Sequence, residues 1–115
     1  MNGKRPGRSL FIGFDINPKF VKLANKAMDF TLPEVLDEPY YSIKVGDLTK
    51  LTEIQDNSID LIITHPPYAN IIRYSNGEIT GDLSNISSIE KFCRIFRKGI
   101  NHLYRVLKPN HYCAI

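Results

Sequence analysis

Apolar and polar positions along the chain fall into two rhythms, short continuous runs and longer helical repeats. Leu10-Phe11-Ile12-Gly13-Phe14-Asp15 is an apolar run closed by a carboxylate, the pattern of a short strand. Asn17 stands where a helix N-cap belongs, with Pro18 at the favourable first position. Phe20, Ala24, Ala27 and Met28 then recur at helical spacing opposite Lys19, Lys22 and Lys26. This predicts an amphipathic helix from about Lys19 to Phe30, with the apolar stripe in the core. Pro33 to Tyr41 holds two prolines and three acids and reads as a linker. Ser42-Ile43-Lys44-Val45 alternates polar and apolar residues into Gly46-Asp47, a second strand ending in a carboxylate. Thr49 to Asn57 predicts a short helix or turn, closed by Asp56-Asn57-Ser58.

The third strand, Ile59 to Thr64, leads into the stretch that organises the chain, Asp60-Leu61-Ile62-Ile63-Thr64-His65-Pro66-Pro67-Tyr68. A run of this kind predicts a parallel strand buried on both faces, because such burial removes polar alternation. The two prolines end it, since neither can donate a ladder hydrogen bond and both fix φ. The expected result is a rigid bend at the carboxyl end of a strand with Tyr68 just beyond it. In open α/β sheets ligands bind at that edge. Asn70 to Ile86 follows as a long polar connection with turn signals at Asn76-Gly77 and Gly81-Asp82. A loop of that length predicts a functional or mobile segment. Ser87 or Ser88 caps a long helix with Glu90 in its first turn. Its apolar stripe is Ile89, Phe92, Cys93, Phe96, Ile100, Leu103 and Leu107. Lys91, Arg94, Arg97, Lys98 and Arg105 lie largely off that stripe, a face that reads first as solvated and second as one meeting DNA phosphates. Leu107-Lys108-Pro109-Asn110 stops the helix, and His111 to Ile115 begins a fourth strand.

Composition narrows this only modestly. At 115 residues there is room for one small domain, and 43% apolar with 23% charged residues excludes a disordered chain. The net charge of +3 is compatible with a nucleic-acid partner without demonstrating one. Met1 to Ser9 is a polar, basic lead-in that reads as a solvated end rather than a phosphate-contacting arm. No apolar run approaches a membrane span or a signal sequence. Cys93 and Cys113 show no metal-ligand spacing, so no metal is expected, and both read as buried thiols in a reducing cytoplasm.

The order strand, carboxylate, helix, strand, carboxylate, strand, Pro-Pro-Tyr, helix, strand is a doubly wound, Rossmann-like α/β pattern with a mainly parallel sheet. Within it the chain resembles the DNA N4-cytosine and N6-adenine amino-methyltransferases of the class I S-adenosylmethionine-dependent fold. Gly13-Phe14-Asp15-Ile16-Asn17-Pro18 is similar to the motif whose acid holds the cofactor ribose. Gly46-Asp47 is similar to the motif whose acid lies near the cofactor adenine. His65-Pro66-Pro67-Tyr68 stands where the catalytic motif belongs, and Tyr104-Arg105-Val106-Leu107-Lys108-Pro109 resembles the helix end before the fifth strand. The resemblance implies S-adenosyl-L-methionine as cofactor, held by Asp15, Ile16, Asp47 and Leu48. It implies His65, Pro66, Pro67 and Tyr68 as catalytic residues, and duplex DNA with a flipped base as partner. In the family the first motif residue and the first proline's carbonyl accept hydrogen bonds from the target amine, while the aromatic residue stacks on the base.

Two positions depart from the family. His65 stands in place of Asp, Asn or Ser, and a neutral imidazole accepts only through its unprotonated nitrogen. It is therefore either the substitute acceptor or a polar strand-end residue. The glycine-rich first motif has no counterpart, because no strand precedes Gly3 and Gly7. The expectation is a single, incomplete, cytoplasmic catalytic domain, partnered by the missing part of the domain or by another subunit. RNA methylation and a non-catalytic assembly role stand as alternatives. A nicotinamide oxidoreductase is disfavoured, since no GxGxxG turn precedes Asp15.

Overall fold

The computed structural model describes residues 9–29, 40–68 and 72–115. The basic lead-in before Ser9, Phe30, most of the Pro33–Tyr41 linker and the start of the long connection at Asn70 lie outside the described residues. The chain is α/β and divides into two compact units, Met1–Val45 and Gly46–Ile115.

In the first unit β1 (Leu10–Asp15) pairs in parallel with β2 (Tyr40–Val45), in register from Leu10↔Tyr40 to Asp15↔Val45. Parallel neighbours need a crossover, and α1 (Pro18–Ala27) lies between them in sequence. The predicted cap holds: the Asn17 side chain accepts from the Lys19 amide at 3.0 Å, with Pro18 in the first turn. The predicted core stripe does not. Phe20 and Ala27 are exposed, and the half-buried residues are Val21, Ala24, Asn25 and Met28. Asn25 accounts for the rotation. Its amide donates to the β2 carbonyl of Ile43 at 3.1 Å and to Val21 O at 3.0 Å, so a polar residue holds the middle of the packed face. The helix also stops at Ala27, short of Phe30, and β2 begins at Tyr40 rather than Ser42.

In the second unit β3 (Ile59–Ile63) pairs in parallel with β4 (Leu107–Ala114), and α2 (Ile89–Val106) runs directly into β4. The ladder opens with Ile59↔Leu107, then shifts, and resumes as Leu61↔Tyr112 to Ile63↔Ala114. The shift holds Pro109, which cannot donate, and Asn110 at φ +61°. The fourth strand thus takes in Leu107 to Asn110, the residues expected only to stop the helix. Asp60 secures the excursion, with its carboxylate 2.7 Å from Lys108 Nζ and 3.5 Å from His111 Nε2. Lys108 holds the Asp60 carboxyl below its ordinary value, with a smaller downward pull from His111.

Ile62, Leu103 and Val106 form the core of this unit, with Leu48, Ile54, Ile59, Ile100 and Leu107 packed against it. Ile62 turns one face of β3 inward. Leu61 and Ile63 are 57% and 78% exposed, so β3 is buried on one face and not on both as its composition suggests. Cys93 and Cys113 are likewise exposed rather than buried. Cys93 sits on the solvent side of α2, and Cys113 on β4, which has only β3 beside it among the described strands. The packed face of α2 is also rotated from the predicted stripe: Gly99, Leu103 and Val106 are buried, while Ile89 is 68% exposed.

Gly99 explains that rotation. It lies against Leu48 of the short 3-10 helix Leu48–Lys50, and a Cβ there would come within 2.7 Å of Leu48 Cγ. The helix tolerates a costly residue at its centre so that this turn can approach closely. Arg105 anchors the rest of the 51–57 segment. Its guanidinium donates to Leu51 O at 2.6 Å, Ile54 O at 2.7 Å and Asp56 Oδ1 at 2.6 Å.

Gly99→Ala should lower thermal stability despite its better helix propensity. Overpacking costs about 1–3 kcal/mol against about 1 kcal/mol of propensity gain. Adding Leu48→Ala removes the clashing Cγ, so the double variant should lose less than the sum of the two single losses in denaturant melts.

Candidate functional site

The bend after β3 is rooted in the ladder. The Thr64 amide donates to Ala114 O at 2.9 Å, continuing the β3–β4 ladder past Ile63. Pro66 and Pro67 are half-buried, with no cis peptide among the described residues. With φ fixed twice in succession, the backbone leaves the strand on a constrained path. His65 and Tyr68 project from it, and Tyr68 is 56% exposed. Their rings meet edge to face with centroids 5.5 Å apart and planes at 79°.

The Tyr68 hydroxyl lies 3.4 Å from His65 Nε2, long for a hydrogen bond. This contact bears on what His65 can do. A neutral imidazole has one acceptor nitrogen. When Tyr68 donates to Nε2, that acceptor is occupied and the Pro66 carbonyl is the remaining acceptor of the pair. A group that displaces the long Tyr68 contact frees Nε2. The two side chains therefore form a small, exposed, rearrangeable polar–aromatic surface on a stiff backbone.

The other predicted site residues are placed as follows. Asp15 ends β1 in the first unit, where Oδ1 accepts from the Asn17 amide at 2.7 Å. Oδ2 has no partner among the described residues. Ile16 beside it is half-buried. Asp47 opens the second unit and caps the 3-10 helix, its Oδ1 accepting from Thr49 N at 2.8 Å and Thr49 Oγ1 at 2.7 Å. Leu48 packs against Gly99 and the core, which gives it a structural share whatever else it contacts. His65 and Tyr68 are in direct contact; Asp15 and Ile16 belong to one unit and Asp47 and Leu48 to the other.

The long connection after the bend is held by a hydrogen-bond knot from residue 74 to residue 85. Asn76 and Gly77 take positive φ in a turn closed by Glu78 N to Ser75 O at 2.9 Å, and Gly81 takes the positive φ of a second turn. Asp82 is buried at the centre, accepting from Ser75 Oγ at 2.5 Å and Ser84 N at 2.8 Å. Asn85 joins Ser75 to the Gly77 amide, and Ser84 Oγ accepts from Tyr74 N. Burial pushes the Asp82 carboxyl up, but the hydrogen bonds from Ser75 and Ser84 outweigh it and hold the group below its ordinary value. The turn dipeptides signalled this geometry. Nothing in the sequence signalled that Ser75, Asp82 and Ser84 would be buried together.

No family model, curated protein or solved structure matches this chain. Among the described residues no helix is long and apolar enough to cross a membrane.

The knot has a defined pH dependence. Asp82's depressed pKa contributes stability above the ordinary value of 3.8, and that contribution disappears as pH falls through the lower folded-state value. Ser75→Ala removes a donor to a buried carboxylate and should cost about 1–3 kcal/mol. It should also move the acid transition of the loop to higher pH. Amide exchange at Tyr74 and Ser84 against pH reads both effects.

Proposed function

We propose that this chain carries part of a cytoplasmic, S-adenosylmethionine-dependent methyltransferase acting on the exocyclic amine of cytosine (N4) or adenine (N6) in DNA. The doubly wound sheet of that fold belongs to the same proposal, with the two parallel strand pairs as its units. The observation that carries it is the exposed His65–Tyr68 pair on a double-proline bend at the carboxyl end of a parallel strand.

An exocyclic amine is a poor nucleophile because its lone pair is delocalised into the ring. The chain's task is to accept hydrogen bonds from the amine and aim its lone pair. The Pro66 carbonyl suits the first role, since proline on both sides of the peptide limits drift. His65 supplies a second acceptor once a base displaces the Tyr68 hydroxyl from Nε2. Tyr68, open to solvent, offers a face on which a flipped base stacks. Orientation of this kind supplies much of a barrier reduction. Asp15 suits a ribose, because Asn17 engages one carboxylate oxygen and leaves the other as an acceptor at an exposed strand end. Asp47 would lie near the cofactor adenine, with Oδ1 fixed by Thr49. When bound, S-adenosylmethionine supplies the electrophilic methyl group.

A second reading rests on a different observation. Leu61, Ile63 and Tyr112 leave one side of the β3–β4 pair 57%, 78% and 81% exposed. Open apolar strand surface of this kind favours a module completed by another part of a split enzyme or by another subunit.

Labelled-methyl transfer to duplex DNA and to structured RNA, with binding measured in parallel, tests the reading. His65→Ala and Pro66→Ala should lower turnover more than DNA affinity, and a pure affinity loss would remove them from catalysis. Tyr68→Ala should weaken base binding by about 1–3 kcal/mol. Transfer to RNA alone would reassign the substrate. Failure of the isolated chain to bind cofactor at millimolar concentration would favour the assembly reading.

A further inference from the structure

The solvent-facing side of α2 gathers charge in a way the net charge of the chain conceals. Five cations, Lys91, Arg94, Arg97, Lys98 and Arg105, stand against the single acid Glu90. The helix is therefore +4, while the whole chain is only +3. The packing described above divides these cations. Arg105 is engaged by the 51–57 segment. Lys91, Arg94, Arg97 and Lys98 are all exposed and form no ion pair among the described residues. At 100° per residue they lie within one arc opposite Gly99, Leu103 and Val106, spread over about 10 Å of helix axis. Asn101 and the 85% exposed Tyr104 continue the same side as neutral hydrogen-bonding groups.

We propose that this face of α2 docks on the phosphodiester backbone of duplex DNA. The inference takes its partner from the function proposed above and adds a surface distinct from the His65–Tyr68 pair. Charge complementarity is the ground. Duplex DNA presents one negative charge per about 1.7 Å of axis, so a stripe of four cations about 10 Å long, which nets +3 because Glu90 lies in the same arc, meets several phosphates at once. Arg94 and Arg97 suit phosphate oxygens through forked donors, and Asn101 and Tyr104 are residue types that add neutral contacts. A membrane surface fits less well, because an interfacial helix must place its apolar side in lipid and α2 buries that side against Ile62 and Leu48. The helix that carries the stripe is anchored in its C-terminal half by buried Gly99, Leu103 and Val106, with Phe92, Ile95 and Phe96 half-buried along the stripe's own stretch, whereas α1, with three lysines, buries no residue.

The test is the salt dependence of binding by the full chain to a short labelled duplex. A combined Lys91→Gln, Arg94→Gln, Arg97→Gln and Lys98→Gln variant should bind roughly tenfold or more weakly, and its log–log salt slope should flatten by up to about 0.9 per cation removed. Removing Lys19, Lys22 and Lys26 of α1 in the same way should change the slope much less. Equal loss per charge in the two variants would overturn the site in favour of diffuse attraction, as would an unchanged slope in the α2 variant. Tighter binding to anionic phospholipid vesicles than to the duplex, lost on the same substitutions, would assign the face to a membrane and also overturn the proposal. If the fourfold variant fails to melt cooperatively, the Lys91/Lys98 and Arg94/Arg97 pairs separately should each give about half the flattening. His65→Ala with Tyr68→Ala separates the two readings, since it should abolish methyl transfer and leave the backbone salt slope intact.

Discussion

The second unit depends on the burial of Val106, which is 2% exposed at the point where α2 becomes β4. Two parallel strands cannot be joined by a tight turn, so something must carry the chain back across the sheet. Here α2 does so and enters β4 without an intervening loop. The carbonyls of Arg105 and Val106 receive the amides of Asn57 and Ser58, so the helix end itself starts the ladder. Leu107 then pairs with Ile59, and the register that follows ends at Thr64 and Ala114. The Pro-Pro bend stands where it does because a helix terminus six positions upstream of Thr64 in the ladder is fixed in the core.

That constraint explains the irregularity next to it. Leu107 must pair immediately, yet the side chains beyond must reach alignment with Leu61, Ile62 and Ile63. The Pro109–Asn110 excursion absorbs the surplus residues, with Asn110 at positive φ within it and Asp60 tying Lys108 and His111 across it. The same logic governs Gly99. A side chain there would push the Leu48 turn away from α2 and with it Asp47, whose carboxylate caps that turn. A residue without chemistry thus positions one of the carboxylates that the proposed function uses.

What is legible in the sequence is what is decided locally. Asn17 and Ser88 are caps whose side chains reach amides two or three residues ahead, and Asn76-Gly77 is a turn whose positive φ values belong to those residue types; Asp47 and Asp82, read as a strand-end acid and part of a turn, make the same kind of cap. β1 runs from Leu10 to Asp15 as its composition suggests. Helix faces are a different matter. Counting apolar residues on α1 favours Phe20 over Asn25, because no local rule announces that the Ile43 carbonyl will need a donor. On α2 the same count favours Ile89 over Gly99, because close approach to Leu48 is a tertiary fact. At the candidate site the strand, the bend and the residue types are readable. The Tyr68–His65 contact and the buried Ser75–Asp82–Ser84 knot are not, since both arise from how the backbone folds after the prolines.

The two sides of α2 give the unit its direction. The C-terminal half of α2 packs closely enough that a glycine is accepted at mid-helix, and this anchors the helix to the core. A charged stripe on a fixed helix has a physical consequence that the same residues on a loosely packed one do not. Its cations keep their spacing, so on the proposed duplex each phosphate contact would add to the last without a fresh cost in backbone ordering. The same core also roots the bend that presents His65 and Tyr68, through the ladder from Ile59 to Thr64. Under the proposed function, backbone attraction and base-directed contact belong to one compact unit, so docking by the first would restrict the orientation available to the second.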